Sequence, residues 1–400
     1  MDRTGAVTAA VAAFARTHLN ASLSPVEVRG AQATSLETPQ EENVVSPGFE
    51  ARKLAPQPAV AICVALSGGP DSLALLACAV RAGLTVHAIV VDHNLQPGSA
   101  DTAARAADQA IALGATAEVV SVTVDGPGGM EAAARSTRYD ALDRARAGRP
   151  VLLGHTMDDQ AETVLLGLAR GSGARSLAGM REWNDPWGRP LLGLRRTDTR
   201  GACAELGLDT FDDPHNHDPR FTRVRLRTEA LPLLDDVLHG GVVPALARTA
   251  SSLQDDNDAL DALATAAYAT VATTPRATNH LDARGRSDEG PANHLDPRGR
   301  SDEGARVTRG PATLGSQPDP TPTLDARTLA TYPPAIRRRI IRLWLHDCGA
   351  TDPTHPVITA VDALAADWHG QGGVAIGGDP RHRLEVVRTA GLLTLQRTPR

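Results

Sequence analysis

The stretch AVAICVALSGGPDSLALLACAVRAG, residues 59–83, decides the fold. Its first part, with Val60, Ile62, Val64 and Leu66, is a short apolar run bounded by a turn signal, as a strand buried in a sheet requires. Gly68 and Gly69 then provide freedom for positive φ and bring bare backbone N–H groups close to an anion. Asp71 or Ser72 is placed to cap a following helix, whose Leu73, Leu76, Ala77 and Val80 share one face before Gly83 ends it. Strand, glycine turn and helix in that order form a phosphate site, because a helix N-terminus attracts anions. The plain alternative is a turn that only joins a strand to a helix.

The turn has neither the spacing and Lys-Ser/Thr ending of a Walker A loop nor the GxGxxG pattern. The chain holds one lysine, Lys53, so 40 of its 41 basic residues are arginine. Charge on a bound triphosphate must then be met by arginine, by backbone dipoles or by a metal ion, and Asp71 suits Mg²⁺, which takes oxygen ligands. SGGPDS at 67–72 resembles the SGGxDS motif of the PP-loop ATP pyrophosphatases. That family cleaves ATP between the α- and β-phosphates and adenylates a substrate oxygen.

Outward from this stretch the pattern alternates. Strands are predicted at 84–93, 118–122 and 151–156, and helices at 99–113, 128–148 and 158–173. Such alternation implies a doubly wound α/β domain, a mainly parallel sheet covered on both faces. Ligands of such sheets bind beyond the carboxyl ends of the strands. Those ends carry Ser67 to Ser72, then Asp92 and His93, then His155, Thr156, Asp158 and Asp159. Asp159 and Glu162, three apart at a helix start, can point two carboxylates at a metal or an attacking amine. Acidic residues in a first turn also simply offset the helix dipole. Arg135 and Arg138 form a similar pair, whose alternative is a solvated face with Glu131 bonded to Arg135.

Net charge is −6, so nucleic-acid binding must be argued from local arginine clusters rather than from overall charge. Arg170 and Arg175 flank a Gly-Ser-Gly turn, and Arg189, Arg195, Arg196 and Arg200 follow within a short stretch. Arg220, Arg223, Arg225 and Arg227 form another cluster; an extended segment would put 223, 225 and 227 on one side, whereas a helix would spread them. The alternative is a solvated face balanced by Asp212, Asp213 and Asp218. The run Asp212, Asp213, His215, His217 and Asp218 is better read as a turn around Pro214 and Pro219 than as a metal site. Cys63, Cys78, Cys203 and Cys348 show no CxxC or zinc spacing, which suits a reducing, cytosolic setting. No segment approaches the roughly 20 apolar residues that span a bilayer, and residues 1–20 lack a signal peptide's order, so a cytoplasmic protein with no membrane partner is expected.

VDHNLQ at 91–96, AARSTRY at 133–139, DDQAETVLLGLARGSGARSLAGM at 158–180, RPLL at 189–192 and DDPHNHDPRFTRVRLR at 212–227 occur in the order and approximate spacing of the tRNA(Ile)-lysidine synthetases. The resemblance covers about residues 58–240 and continues more weakly to the end. Gln96, Met157 and Val224 depart from it, outside the phosphate loop and the acidic pair. It implies the PP-loop (adenine nucleotide α-hydrolase-like) fold followed by a smaller, mainly helical domain. It also implies a two-step ligation. ATP adenylates the C2 oxygen of the first anticodon cytidine of tRNA(Ile) with a CAU anticodon, and free L-lysine then displaces AMP. By that resemblance Ser67, Gly68, Gly69, Pro70, Asp71 and Ser72, with Asp92 and His93, bind the nucleotide. Asp71 and Asp159 hold Mg²⁺, Arg135 and Arg138 meet developing charge, and Glu162, or second Asp159, serves as base. Arg170, Arg175, Arg195, Arg196, Arg223 and Arg225 are the expected RNA contacts, and a homodimer is the expected assembly. The rival is another PP-loop tRNA-modifying enzyme, such as a thiolase, which would need cysteines to relay sulfur.

The expected domains are 1–57, a helix at 6–18 with a flexible lead-in; 58–240, catalytic; and 241–400, mainly helical and tRNA-contacting, with short C-terminal strands. Within the last, 273–322 is a polar insertion, expected to be disordered, in which NHLDARGRSDEG at 279–290 returns as NHLDPRGRSDEG at 293–304. RRRIIR at 337–342 reads as an RNA contact or, equally, as an interfacial basic helix.

Overall fold

The computed structural model describes residues 2–20, 60–94, 98–123, 130–171, 173–273, 321–350, 353–378 and 382–399. The lead-in at 21–58 and the repeat at 279–304 lie outside the described residues. The chain divides into two units, Met1–Asp256 and Asn257–Arg400.

The first unit begins with α1 (Arg3–His18) and continues as β1 (Ala61–Ala65), α2 (Pro70–Arg81), β2 (Thr85–Asp92), α3 (Ser99–Ala112), β3 (Thr116–Ser121), α4 (Met130–Ala145), β4 (Val151–Leu152) and α5 (Met157–Ala169). Then come α6 (Ala174–Leu177), β5 (Trp183–Asn184), β6 (Trp187–Gly188), α7 (Arg196–Glu205), α8 (Thr222–Arg225) and α9 (Leu231–Val237), and α10 (Val242–Val271) contains the boundary. The sheet order is β3-β2-β1-β4-β6-β5, parallel except for the β5–β6 pair. Alternate residues of β1 serve two cores. Ile62 and Val64 join α1, α2 and α3 through Val11, Phe14, Leu73, Leu76 and Ala106, whereas Cys63 and Ala65 meet Leu142 of α4. A strand apolar on both sides is what a doubly covered parallel sheet demands, and burying a side chain such as Ile62, Val64 or Phe14 contributes about 1.5–3 kcal/mol.

The third predicted strand is shorter than 151–156, and packing explains the difference. Leu153 still donates to Gly188 O at 2.8 Å. Gly154 then passes so close to α2 that a Cβ would lie 2.9 Å from Ser72 N. The chain therefore leaves the sheet, and Thr156 starts α5 as its N-cap.

In the second unit, β7 (Ala272–Thr273), β8 (Thr323–Asp325), β9 (Val374–Gly378), β10 (His382–Thr389) and β11 (Leu392–Pro399) form an antiparallel sheet of order β7-β8-β11-β10-β9. It packs with α11 (Ala326–Ala330), α12 (Pro334–Asp347) and α13 (His355–Ala366) around Trp344, Leu345, Ile340, Val386 and Leu393. The C-terminal strands are eight-residue partners rather than short pieces. Arg337, Arg338 and Arg339 are tied internally, the first two to Asp362 and the third to Asp261 at 2.8 Å. Among the described residues no single helix is long and apolar enough to cross a membrane.

Candidate active site

The phosphate turn is held by its own side chains. Gly68 adopts φ +78°, open to glycine at little cost, while Gly69 is extended at φ −73° and ψ 161°. Only the first glycine therefore meets the expectation of positive φ. Neither Asp71 nor Ser72 caps α2: Gly69 is the N-cap, and Pro70 takes the first turn, where its missing N–H costs nothing. Ser72 instead folds back, its hydroxyl accepting from Ser67 N at 3.2 Å and donating to Gly69 O at 3.0 Å. A second loop is pinned to the turn by Phe211 N, which donates to Gly68 O at 2.9 Å.

The strand order places β2 on one side of β1 and β4 on the other, which makes the gap between the ends of β1 and β4 the topological switch point. A cavity of about 480 Å³ lies there, lined by Ser67 to Ser72 except Gly68, by Gly154, His155 and Asp159, and by Arg196, Arg200 and Arg227. Beside it, at the ends of β1 and β2, a cavity of about 700 Å³ is lined by Ser67, Asp92, His93, Arg138 and Phe211. A third, of about 250 Å³, takes His93, Arg135, Arg138, Tyr139, His155 and Arg223. Arg138 borders all three cavities and makes no ion pair among the described residues. Arg135 borders only the third, its guanidinium 5.1 Å from the Tyr139 ring centroid. The side chain of Glu131 lies outside the described residues.

Three carboxylates share one guanidinium. Arg196 Nη2 donates to Asp159 at 2.6 Å, its Nε reaches Asp71 at 3.4 Å, and its Nη1 lies 3.7 Å from Glu162. Asp71 also accepts from the Thr199 hydroxyl, and Asp159 from Thr156 N and Oγ1, both at 2.8 Å. Glu162 has no exposed side-chain surface and is ringed further by Arg227 at 2.9 Å and Arg223 at 3.5 Å. These environments pull the acids apart. Burial raises Asp71 above the usual carboxylate range despite Thr199 and Arg196. Burial acts on Asp159 too, but Arg196 and the bonds from Thr156 outweigh it and hold that group low. Burial takes His155 down to about 3, against the pull of Asp159, and its Nδ1 has no hydrogen-bond partner among the described residues. His93 is likewise lowered, first by burial and then by Arg138. Both imidazoles are therefore neutral near pH 7 and can accept or donate a hydrogen bond.

Thr199 carries a first test. Its hydroxyl favours the ionised form of Asp71, so Thr199→Val raises that pKa further, and the carboxylate ionises only at higher pH. For the ATP cleavage that the SGGPDS resemblance implies, the acid limb moves upward accordingly, with a larger loss at about pH 5.5 than at about pH 8. AMP release measured across that range checks it, and an unshifted limb contradicts it.

Three of the expected RNA contacts, Arg195, Arg196 and Arg223, pair with acids instead. Arg196 is largely buried among the carboxylates, and Arg195 is bonded to Asp158 at 3.0 and 3.1 Å, because the start of α7 faces the start of α5. The arginines at 223, 225 and 227 are helical rather than extended. Arg223 and Arg227, one turn apart, face Glu162, while Arg225 pairs with Glu229 at 2.9 Å on the exposed side. Arg170 and Arg175 remain exposed beyond α5. Sequence reasoning missed Thr199 and Phe211 altogether, since neither stands in a charged or glycine pattern.

The acidic side chains suit a hard cation. Asp71 and Asp159 offer carboxylate oxygens beside a phosphate turn, which matches the way Mg²⁺ takes a few protein oxygens together with phosphate. Among the described residues no group of three or more His, Cys, Asp or Glu forms a closed metal site.

Residues 46–234 match the family model of the PP-loop domain, and residues 324–393 match that of the TilS substrate binding domain. The tRNA(Ile)-lysidine synthase of Nocardia farcinica is 52% identical over 347 residues, covering 86% of this chain and 94% of that protein. That of Mycobacterium tuberculosis (strain H37Rv) is 50% identical over 338 residues, covering 84% and 91%. Among solved structures, the U34-tRNA thiolase NcsA of Methanococcus maripaludis aligns over 50% of this chain and 74% of its own at 16% identity and a TM-score of 0.41.

Proposed function

The chain belongs to the tRNA(Ile)-lysidine synthase family, and from that premise we propose how its residues perform an ATP-dependent ligation of lysine to the anticodon of tRNA(Ile). The reaction joins the ε-amine of lysine to C2 of the first anticodon cytidine and releases AMP and diphosphate. The anticodon loop is single-stranded, so the base can enter a pocket and present its Watson–Crick edge without opening a duplex.

The observation that carries the proposal is the meeting of the SGGPDS turn and the Asp159–Arg196 pair across one cavity at the switch point. Backbone N–H groups at the turn and the start of α2, with the Ser67 and Ser72 hydroxyls, bind phosphates. Asp92, His93 and Phe211 border the adjoining cavity, which is large enough for the nucleoside half of ATP. Asp71 and Asp159 hold Mg²⁺, which supplies neutralisation of phosphate charge when bound. Arg138, bordering all three cavities, meets the charge that develops on the transferred group, and Arg135 attends it from the third cavity. Lysine must attack as a neutral amine. Of the two acids at the start of α5, Asp159 borders the cavity and Glu162 does not, so we assign the amine to Asp159 and make Glu162 the buried anchor of the arginines. Exposed Arg170, Arg175 and Arg225 are the phosphate contacts of the tRNA. Free L-lysine as the amine donor and a homodimeric assembly complete the proposal.

The thiolase alternative finds no support in the cysteines. Cys63, Cys78 and Cys203 are buried, and burial pushes the Cys203 thiol up to about 11, the reverse of a sulfur-relaying thiolate. The deciding experiment offers radiolabelled lysine and ATP to an isoleucine tRNA transcript with a CAU anticodon, beside a methionine tRNA bearing the same anticodon. Label in the first only is expected. If ATP is split to AMP and diphosphate without label in either, the phosphate site stands and the lysine and tRNA assignments fall.

A further inference from the structure

We infer that the first turn of α1 is a positioning element for the reaction, with Arg3 and Thr4 clamping α7 so that Arg196 and Thr199 meet Asp71 and Asp159. The inference rests on the ligase reading above and assigns work to a helix that lies outside the residues matched by the PP-loop domain model.

α7 is held at both ends by one turn of α1. At its start, the Arg3 guanidinium pairs with Asp198, whose other oxygen accepts from Arg195 N at 2.9 Å and so closes the first turn of α7. At its end, Glu205 accepts from Arg3 N at 3.0 Å, Thr4 N at 2.8 Å and Thr4 Oγ1 at 2.7 Å. The same bonds satisfy N–H groups that the beginning of α1 would otherwise leave unpaired. Between the two ends sits Gly201, where a Cβ would lie 2.8 Å from Arg3 Cγ. Glycine is a poor residue for a helix interior, and here it lets the Arg3 stem lie against the helix.

What α7 carries gives the clamp its purpose. Within its first turn and N-cap, Arg195 holds Asp158, Arg196 bridges Asp71 and Asp159, and Thr199 bonds Asp71. One turn further, Cys203 Sγ reaches Pro70 O, the first residue of α2, at 3.3 Å. A shift of α7 is thus transmitted to the phosphate turn and the acids together, and misplacement by about 1 Å can cost up to about 100-fold in rate. Stability of α1 comes from another source: Val7, Val11, Phe14 and Ala15 are buried in the core shared with α2. The Arg3–Asp198 pair and the bonds to Glu205 lie at the edge of that core, so their main contribution is to set where α7 sits.

The test compares kcat and KM for lysine ligation, together with Tm, in the wild type, Arg3→Ala, Arg3→Lys, Glu205→Gln, Thr199→Val and the Arg3→Ala/Thr199→Val double variant. Arg16→Ala, on the exposed last turn of α1, is the control. Arg3→Ala is expected to lower kcat about tenfold with KM for tRNA unchanged and Tm nearly so, and Arg3→Lys to restore most of it. Glu205→Gln is expected to show a smaller loss of the same kind. Because Arg3 acts through α7, the double variant should be no slower than the slower single one, whereas independent effects multiply. An unchanged kcat in Arg3→Ala, multiplying effects, or a loss that follows Tm and resists rescue by lysine overturns the inference. A wild type that makes no lysidine overturns the ligase reading instead, and AMP release then scores the same variants.

Discussion

Asp71→Ala is expected to abolish both AMP release and lysine incorporation, by about 10³-fold or more, in a protein that unfolds at or slightly above the wild-type temperature. The two halves of this result have one cause. Asp71 lies at the first turn behind the phosphate loop, where the proposed mechanism uses its negative oxygen to hold a cation against the phosphates. Burial raises its pKa above the unfolded value, so ionising it costs more in the folded chain than in the unfolded one. The stability lost in this way is lost as pH rises through the folded pKa, and near neutrality the charged form is a burden on the fold. Removing it relieves that burden, a trade of stability against activity common at catalytic sites. Lysine labelling, AMP chromatography and a thermal scan read all three quantities. Activity within about tenfold of wild type would remove Asp71 from the chemistry.

Glu162→Gln is expected to act in the opposite sense, through the fold. The carboxylate is inaccessible, with guanidinium nitrogens of Arg227, Arg223 and Arg196 at 2.9, 3.5 and 3.7 Å. Breaking a buried pair by neutralising one partner costs about 3–5 kcal/mol, which in a unit of this size corresponds to a fall in Tm of about 10 °C. Activity falls with it, because Arg196 loses one of its three acids and Arg227 no longer has its anchor. A Tm within about 2 °C of wild type combined with complete loss of ligation would instead mark Glu162 as the base and displace Asp159 from that role. Calorimetry with a labelling assay at low temperature separates the two.

Much of this protein is legible in the sequence. The apolar run of β1, the SGGPDS turn and the alternation after it predict a parallel sheet and the rim where Ser67, Asp92 and His155 emerge, because strand ends of a doubly wound sheet fall on one side by topology alone. Local chemistry also singles out the residues proposed to bind phosphate and to hold a cation. Arginine pairing was not legible. Arg195 and Arg196 read as surface charges, yet α7 begins against α5, so Arg195 pairs with Asp158 while staying half-exposed and Arg196 is buried among three acids that favour its charge. The alternation of 223, 225 and 227 leaves an extended stripe and a helix equally open; the chain is helical there, with Arg223 and Arg227 facing Glu162. Sequence by itself determined the fold class, the phosphate loop and the reaction family, all of which depend on residues near one another in the chain. Only the tertiary structure decided which acid borders the cavity and which is sealed, and that α1 meets α7, because these choices are made by residues brought together from separate elements, 37 positions apart for Asp159 and Arg196, 65 for Glu162 and Arg227 and 202 for Arg3 and Glu205.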